Sequence, residues 1–322
     1  MNRRRALACV GSAIFAGCLS ESTPGGSEPV TSDTTNGTKP TTNTTTNDGN
    51  TATGTGTPAS PTLEIPSENH CPSFGDGKKR VVCYQDADSG MTLLMKPSKK
   101  SVELPKAMLS FTLQNETGVT FTTNYYDWSL WKRVDGEWFH LMARAVPEPA
   151  MVLESGDSHS WTVTIDNTNL GDAVAPSGGT EDLTFTGLGG GTYAFGIDGW
   201  FEGVSYKSGV GVATRFELVG DALELTPTAD LEVVERDGDE KHVRVGDKKR
   251  RTMVATRVET STTAAKRMLP EQVVRSPLRN LLASFEPGVR RVTLDVNRTA
   301  IFVSDPQVIE YEGQTYRIER SG

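Results

Sequence analysis

Cysteine and histidine are the residues here whose chemistry depends most on spacing. The four cysteines are Cys9, Cys18, Cys71 and Cys83. A thiol can be acylated, oxidised or metallated, and its neighbours decide which. Cys71 and Cys83 bracket a Gly- and Lys-rich stretch, Pro72 to Val82. In an oxidising compartment such a pair forms a disulfide, and a loop this size contributes about 3 kcal/mol through the unfolded chain. His70 beside Cys71 leaves a metal site as the alternative, although no second close Cys or His pair completes a ligand set. The four histidines, His70, His140, His159 and His242, show no metal-protease spacing. His140 and His159 fall one hairpin apart and could meet across a sheet. Asp198 and Glu202 flank Trp200 and could act as an acid/base pair, but an acidic chain offers many such pairs. There is no Gly-x-Ser-x-Gly elbow, phosphate-binding loop or dinucleotide fingerprint. Gly189-Gly190-Gly191 lacks a following Lys-Ser and fits a tight turn. The expectation is a non-enzymatic chain with no catalytic residue, metal or cofactor. The alternative is an extracellular hydrolase or metal-binding protein using His140, His159 and nearby carboxylates.

Cys18 stands in a different setting. Arg3, Arg4 and Arg5 precede an uncharged, mostly apolar run from Ala6 to Gly17, which ends in Phe15-Ala16-Gly17-Cys18. The run is shorter than the roughly 20 residues that cross a bilayer as a helix, so it reads as a processed leader, residues 1–17. Phe-Ala-Gly-Cys resembles the lipobox of prokaryotic lipoproteins, in which the cysteine sulfur is lipidated and becomes the new N-terminus. Asn2-Arg3-Arg4-Arg5-Ala6-Leu7 is similar to a twin-arginine export signal. The resemblance implies an exported protein held by lipid on Cys18 at the outer face of the cytoplasmic membrane.

Residues 18–62 are dominated by Ser and Thr, with Gly, Pro and Asn, and offer no core. They read as a disordered, Thr-rich stalk. Asn36 and Asn43 head glycosylation sequons. The net charge is −8, and loss of the leader would make it more negative. This balance excludes nucleic acid, whose phosphates call for a basic footprint. The acidity and the Thr-rich stalk together resemble surface lipoproteins of halophilic archaea. The partners implied are the membrane, through the lipid, and a surface protein or glycan.

Beyond the stalk, residues 63–220 carry strand signals throughout. Alternating runs occur at Met91 to Met95, Met108 to Leu113, Trp161 to Ile165, Thr192 to Ile197 and Val210 to Leu218. Ser129 to Val134 and Glu137 to Met142 flank Asp135-Gly136, a strong hairpin signal. Many short strands without a long helix read as a β-sandwich. The runs Leu109-Ser110-Phe111-Thr112-Leu113-Gln114-Asn115, Trp131 to Trp138, Leu153-Glu154-Ser155-Gly156-Asp157-Ser158, and Leu188 to Gly191 with Tyr193 resemble, in that order, bacterial immunoglobulin-like domains of surface proteins. The resemblance implies a sandwich for binding, spacing or display. It is broken by a polar insertion, Asn167 to Glu181. All five tryptophans fall in this part. If it presents a ligand surface, the candidates are Tyr125, Tyr126, Trp128, Trp200 and Phe201, the last two on a Gly-flanked loop. Trp131 is expected in the core.

Residues 221–322 read as a small α+β domain. Strands are expected at Leu231 to Glu235, His242 to Val245, Met253 to Val258, Val289 to Val296, Ala300 to Val303, Val308 to Tyr311 and Thr315 to Ile318. The stretch from Ser261 to Phe285 is helical in character, with Pro270 as a first-turn residue and Pro277 as an interruption. Lys248 to Arg251 is the one dense basic run of this part; it reads as a solvated turn, with contact to anionic lipid heads, acidic surface glycans or nucleic acid as the alternative. The fold class expected for the whole is mainly β: an immunoglobulin-like sandwich followed by α+β.

Overall fold

The computed structural model describes residues 61, 63, 70–74, 80–142, 149–171, 177–246, 251–259, 264–296 and 307–321. Cys18, Asn36, Asn43, the Thr-rich stretch, residues 248–250 of the basic run and the strand expected over 300–303 lie outside them. Thr55–Gly322 forms one compact unit. The described residues are mainly β, 53% strand against 7% helix, so sheets supply the packing surfaces.

The first part runs through β1 (Arg80–Cys83), β2 (Leu93–Pro97), β3 (Ser101–Glu103), β4 (Lys106–Asn115), β5 (Phe121–Thr123), β6 (Ser129–Val134), β7 (Glu137–Met142), β8 (Met151–Leu153), β9 (Ser158–Asp166), β10 (Ser177–Gly178), β11 (Asp182–Phe185), β12 (Gly191–Phe201) and β13 (Val210–Val219). One sheet has five strands, in the order β10-β11-β9-β4-β2. The other eight strands share a second sheet, whose spine is the antiparallel pair β12–β13. β1 and β3 both run parallel to β13 along its free edge, while β5 and β6 share the free edge of β12.

Alternation explains why the two sheets face each other. On β4, Leu109, Phe111 and Leu113 are buried, and on β9, Trp161, Val163 and Ile165. The residues between them point outward, as a period of two requires. Phe111 stacks on Phe195 of the opposite sheet at 4.3 Å between ring centroids. Full burial of each such side chain is worth roughly 1.5–3 kcal/mol, so this shared core is what holds the sheets together.

Two turns show how local sequence fixes the pairing. Asp135 and Gly136 both have positive φ, 52° and 85°, as the tight β6–β7 hairpin demands. Asn115 is fully buried at the end of β4. Its Nδ2 donates to the Val119 and Leu153 carbonyls, and its Oδ1 accepts from the Thr117 amide and hydroxyl. Gly156 N donates to the Asn115 carbonyl. Leu113-Gln114-Asn115 and Leu153 to Gly156, noticed separately in sequence, thus form one corner.

The second part contains β14 (Leu231–Asp237), β15 (Glu240–Val245), β16 (Arg251–Val258), β17 (Lys266–Arg267), α1 (Pro270–Val273), α2 (Leu278–Leu282), β18 (Arg291–Val296), β19 (Gln307–Tyr311) and β20 (Gln314–Ser321). Its seven strands form one sheet, β14-β15-β18-β16-β20-β19-β17. Val273, Leu278, Leu281 and Leu282 pack against Val243, Met253, Leu294 and Ile318. Among the described residues of the helix expected from Ser261 to Phe285, only two short turns form. Lys266 and Arg267 pair with Ile309 and Glu310 instead, so strand pairing overrides helical propensity there. Pro270 opens α1, and Pro277 separates it from α2.

Candidate functional site

The residues that enter the fold from the N-terminal side are fastened to the outer face of the eight-stranded sheet. Cys71 and Cys83 form a disulfide, which ties this segment to the end of β1. His70 adds a second hold: its amide donates to Asp86 Oδ2 and its ring Nδ1 lies 3.2 Å from Oδ1, which also accepts from Arg215. The disulfide makes a metal site on Cys71 unnecessary. Among the described residues no group of three His, Cys, Asp or Glu side chains is placed to hold a metal ion.

Phe74 completes the clamp. It lies over Gly196 and Gly211 on β12 and β13, where a Cβ on either glycine would run into its ring. Ala194 and Ala213 continue this shelf of small residues, and Trp131 meets Phe74 edge-on at 4.8 Å. Trp131 is therefore buried, as expected, but in this outer cluster rather than between the sheets.

A second constellation joins the two parts of the fold. Glu271, in the only turn of α1, is 1% exposed. Its Oε1 lies 2.5 Å from Lys132 Nζ of β6 and accepts from the Gly189 amide at 3.1 Å. Tyr193 Oη donates to the Gly189 carbonyl at 2.7 Å and stands 3.4 Å from the same carboxylate oxygen. Burial, then the Glu271 charge, pushes the Tyr193 phenol well above its ordinary range. Arg275 donates to the Thr186 carbonyl, and Arg279 to those of Leu170 and Thr226. Gln272 Nε2 donates to the His140 carbonyl, and Arg267 pairs with Asp135 at the hairpin turn.

The glycine run serves this joint. A Cβ on Gly189 would collide with the Leu223 amide, and one on Gly190 with the Gly220 carbonyl. The connecting segment can lie against the turn only because the side chains are absent. Beside it opens a groove of ≈ 560 Å³, with Leu104, Leu170, Leu188 and Leu223 among its walls and Asp221 and Glu224 in its lining.

The aromatic candidates separate. Trp128 packs on Phe185 and is 8% exposed, and Phe201 is 1% exposed. Neither can present a ring to solvent. Trp200 and Phe201 end β12 and pair with Thr122 and Phe121, so the loop expected there is strand. Gly199 is small because a Cβ would meet Phe121 and the Thr122 carbonyl. Trp200, Tyr125 and Tyr126 remain partly exposed. Tyr125 stacks flat on His159, with centroids 3.7 Å apart and planes 2° apart, and its carbonyl accepts from Trp161 Nε1.

His140 and His159 are not brought together. His140 lies on β7 in the eight-stranded sheet, next to Ser129 and Trp131. His159 lies on β9 in the other sheet, with its Nε2 at 2.6 Å from the Thr180 carbonyl. Asp198 is half-buried on β12, and Glu202 is exposed in the turn beyond it.

No protein-family model and no curated protein sequence matches the chain. Among the described residues, no helix is long and apolar enough to cross a membrane.

Glu271, Lys132 and Arg279 join the two parts of the fold, a role that sequence reading did not assign them. Charged types carry no burial signal of their own. The hint lay in the glycine triplet, which marked a place where another backbone comes close.

Proposed function

We propose that this chain is an exported lipoprotein, tethered through lipid on Cys18 at the outer face of the cytoplasmic membrane. Its body is a non-catalytic module of immunoglobulin-like sandwich type, followed by an α+β part, and it serves in binding or scaffolding at the surface. Its partner is another surface protein or a glycan.

The observation that carries this reading is the Cys71–Cys83 disulfide together with its position. Disulfides persist in oxidising compartments. This one fastens the fold at the side from which a membrane tether would arrive. The facing sheets and the Asn115 corner, built from the motifs that carry the resemblance, support the sandwich. The scattering of the histidines supports the non-catalytic role.

The test is membrane fractionation of a Cys18→Ser variant beside the parent, with mass spectrometry of the mature N-terminus. The expected result is a diacylglycerol-bearing Cys18 in the parent and release of the variant from the membrane fraction. A variant that stays equally membrane-bound, or a parent with no lipid on Cys18, overturns the anchoring.

A further inference from the structure

The outward face of the five-stranded sheet has an unusual chemistry for this chain. Ser110 and Thr112 point outward from β4, Ser160, Thr162 and Thr164 from β9, and Thr184 from β11. They sit in register: Ser110 faces Thr162, Thr112 faces Ser160, and Thr164 lies between Met108 and Thr184. This produces an array of hydroxyls with no charge among them. Nearly a quarter of the residues in the chain are charged, 23%, so an uncharged centre is not the expected surface. Met108, 58% exposed, adds an apolar side chain at one end.

We propose that this face is a self-association surface that takes a second copy of the same chain. The inference does not rest on lipid anchoring.

Three observations favour a second copy. The first is charge. The chain carries −8, so copies repel each other wherever acidic surfaces meet. Here the perimeter is balanced: Lys106 pairs with Asp166 at 3.0 Å, Lys96 lies on β2, and Asp182 on β11. β2 and β11 flank the β4–β9 pair on opposite sides. A two-fold axis running along the strands between β4 and β9 lays each copy's Asp182 side over the other's Lys96 side. Such an interface is isologous and closes as a dimer.

The second is matching of polar groups. A hydroxyl both donates and accepts, so an array of them is complementary to itself, and its rotors adjust on contact. Thr112 and Ser160 already show this at 2.7 Å across the strands.

The third is area. At a strand spacing of about 4.8 Å and a rise of about 3.4 Å, the sheet offers roughly 500 Å² of surface. Face-to-face packing then buries on the order of 1,000–1,300 Å² in total, near the lower bound for specific interfaces. A glycan fits less well, because the outward positions of β4 and β9 carry no aromatic ring.

The test is sedimentation velocity of the full chain over a concentration series, beside a Thr162→Lys/Thr164→Lys variant. The parent is expected to show a reversible dimer. The variant is expected to raise the dissociation constant roughly a hundredfold or more, since like charges would be forced together. To guard against a folding defect in that variant, Thr162→Cys is treated with a short bis-maleimide, with the parent and Val152→Cys in parallel. Val152 is 54% exposed on β8 of the other sheet. Covalent dimer is expected from Thr162→Cys beyond the level of either control. A parent that stays monomeric, association unchanged by the lysines in a folded variant, or equal cross-linking at Val152 overturns the proposal. So does a monomer that binds soluble dextran through Thr162 and Thr164, which would make the face a glycan site.

Discussion

Lys132 and Glu271 meet at 2.5 Å across 139 residues of sequence, with side chains 11% and 1% exposed. One comes from the middle of the eight-stranded sheet, the other from a single helical turn in the second part. Their pairing places a buried ion pair where the two parts of the fold meet.

Removing one partner should cost more than the pair itself contributes. Lys132→Met strands the Glu271 carboxylate, whose Oε2 already has no hydrogen-bond partner. We expect a loss of about 3–5 kcal/mol in denaturant-induced unfolding. Lys132→Met/Glu271→Leu should recover most of it, because no uncompensated charge remains. A Lys132→Met chain as stable as the parent would show that the carboxylate is solvated.

Reduction should weaken the N-terminal clamp. Cys71→Ser/Cys83→Ser is expected to lose about 3 kcal/mol, and dithiothreitol should have the same effect on the parent but none on the variant. Gly211→Ala acts on the same place through sterics, by pushing its Cβ into the Phe74 ring. It should destabilise by about 1–3 kcal/mol, checked by the midpoint of thermal unfolding.

The His159 ring should make stability fall on mild acidification. Burial lowers its pKa below the ordinary 6.5, and the Thr180 carbonyl and Glu181 only partly offset this. The fold therefore holds the neutral ring. Its contribution is complete above pH 6.5 and is lost as pH drops through the lower, folded-state value. His159→Phe keeps a ring against Tyr125 and should flatten the pH dependence of unfolding below 6.5. An unchanged slope would assign that dependence to other groups.

Asp166 acts in a more acidic window. The Thr168 hydroxyl and amide, with Lys106, hold its carboxyl at about 2, below the ordinary 3.8. Its contribution is present above pH 3.8 and disappears as pH falls towards 2. Carbon-13 titration of the carboxyl should give the low value in the parent, and Thr168→Val should raise it.

The strands of the first part were legible because their cores alternate with a period of two. Leu109-Phe111-Leu113 and Trp161-Val163-Ile165 announce both the strand and the face it buries. The Asp135-Gly136 hairpin was legible because so few residue pairs tolerate positive φ. The stretch before α1 was misread because Lys266 and Arg267 satisfy their backbone through β19, distant in sequence. Trp200 and Phe201 were read as loop because glycines flank them. Gly199 is there to admit Phe121, a contact that no local pattern reveals. Glu271 and Arg279 stayed hidden for the same reason: their partners are backbone groups and a lysine from the other part of the chain.

The bridge between Cys71 and Cys83 also sets a mechanical path. Tension reaching Cys71 from the N-terminal side crosses directly through sulfur to the end of β1, and residues 72–82 add no slack to it. The load passes on through Cys83 to Tyr84 and the chain beyond, so Arg80 to Val82, held in their parallel ladder with Val210 to Val212, lie inside the bypassed loop and carry none of it directly.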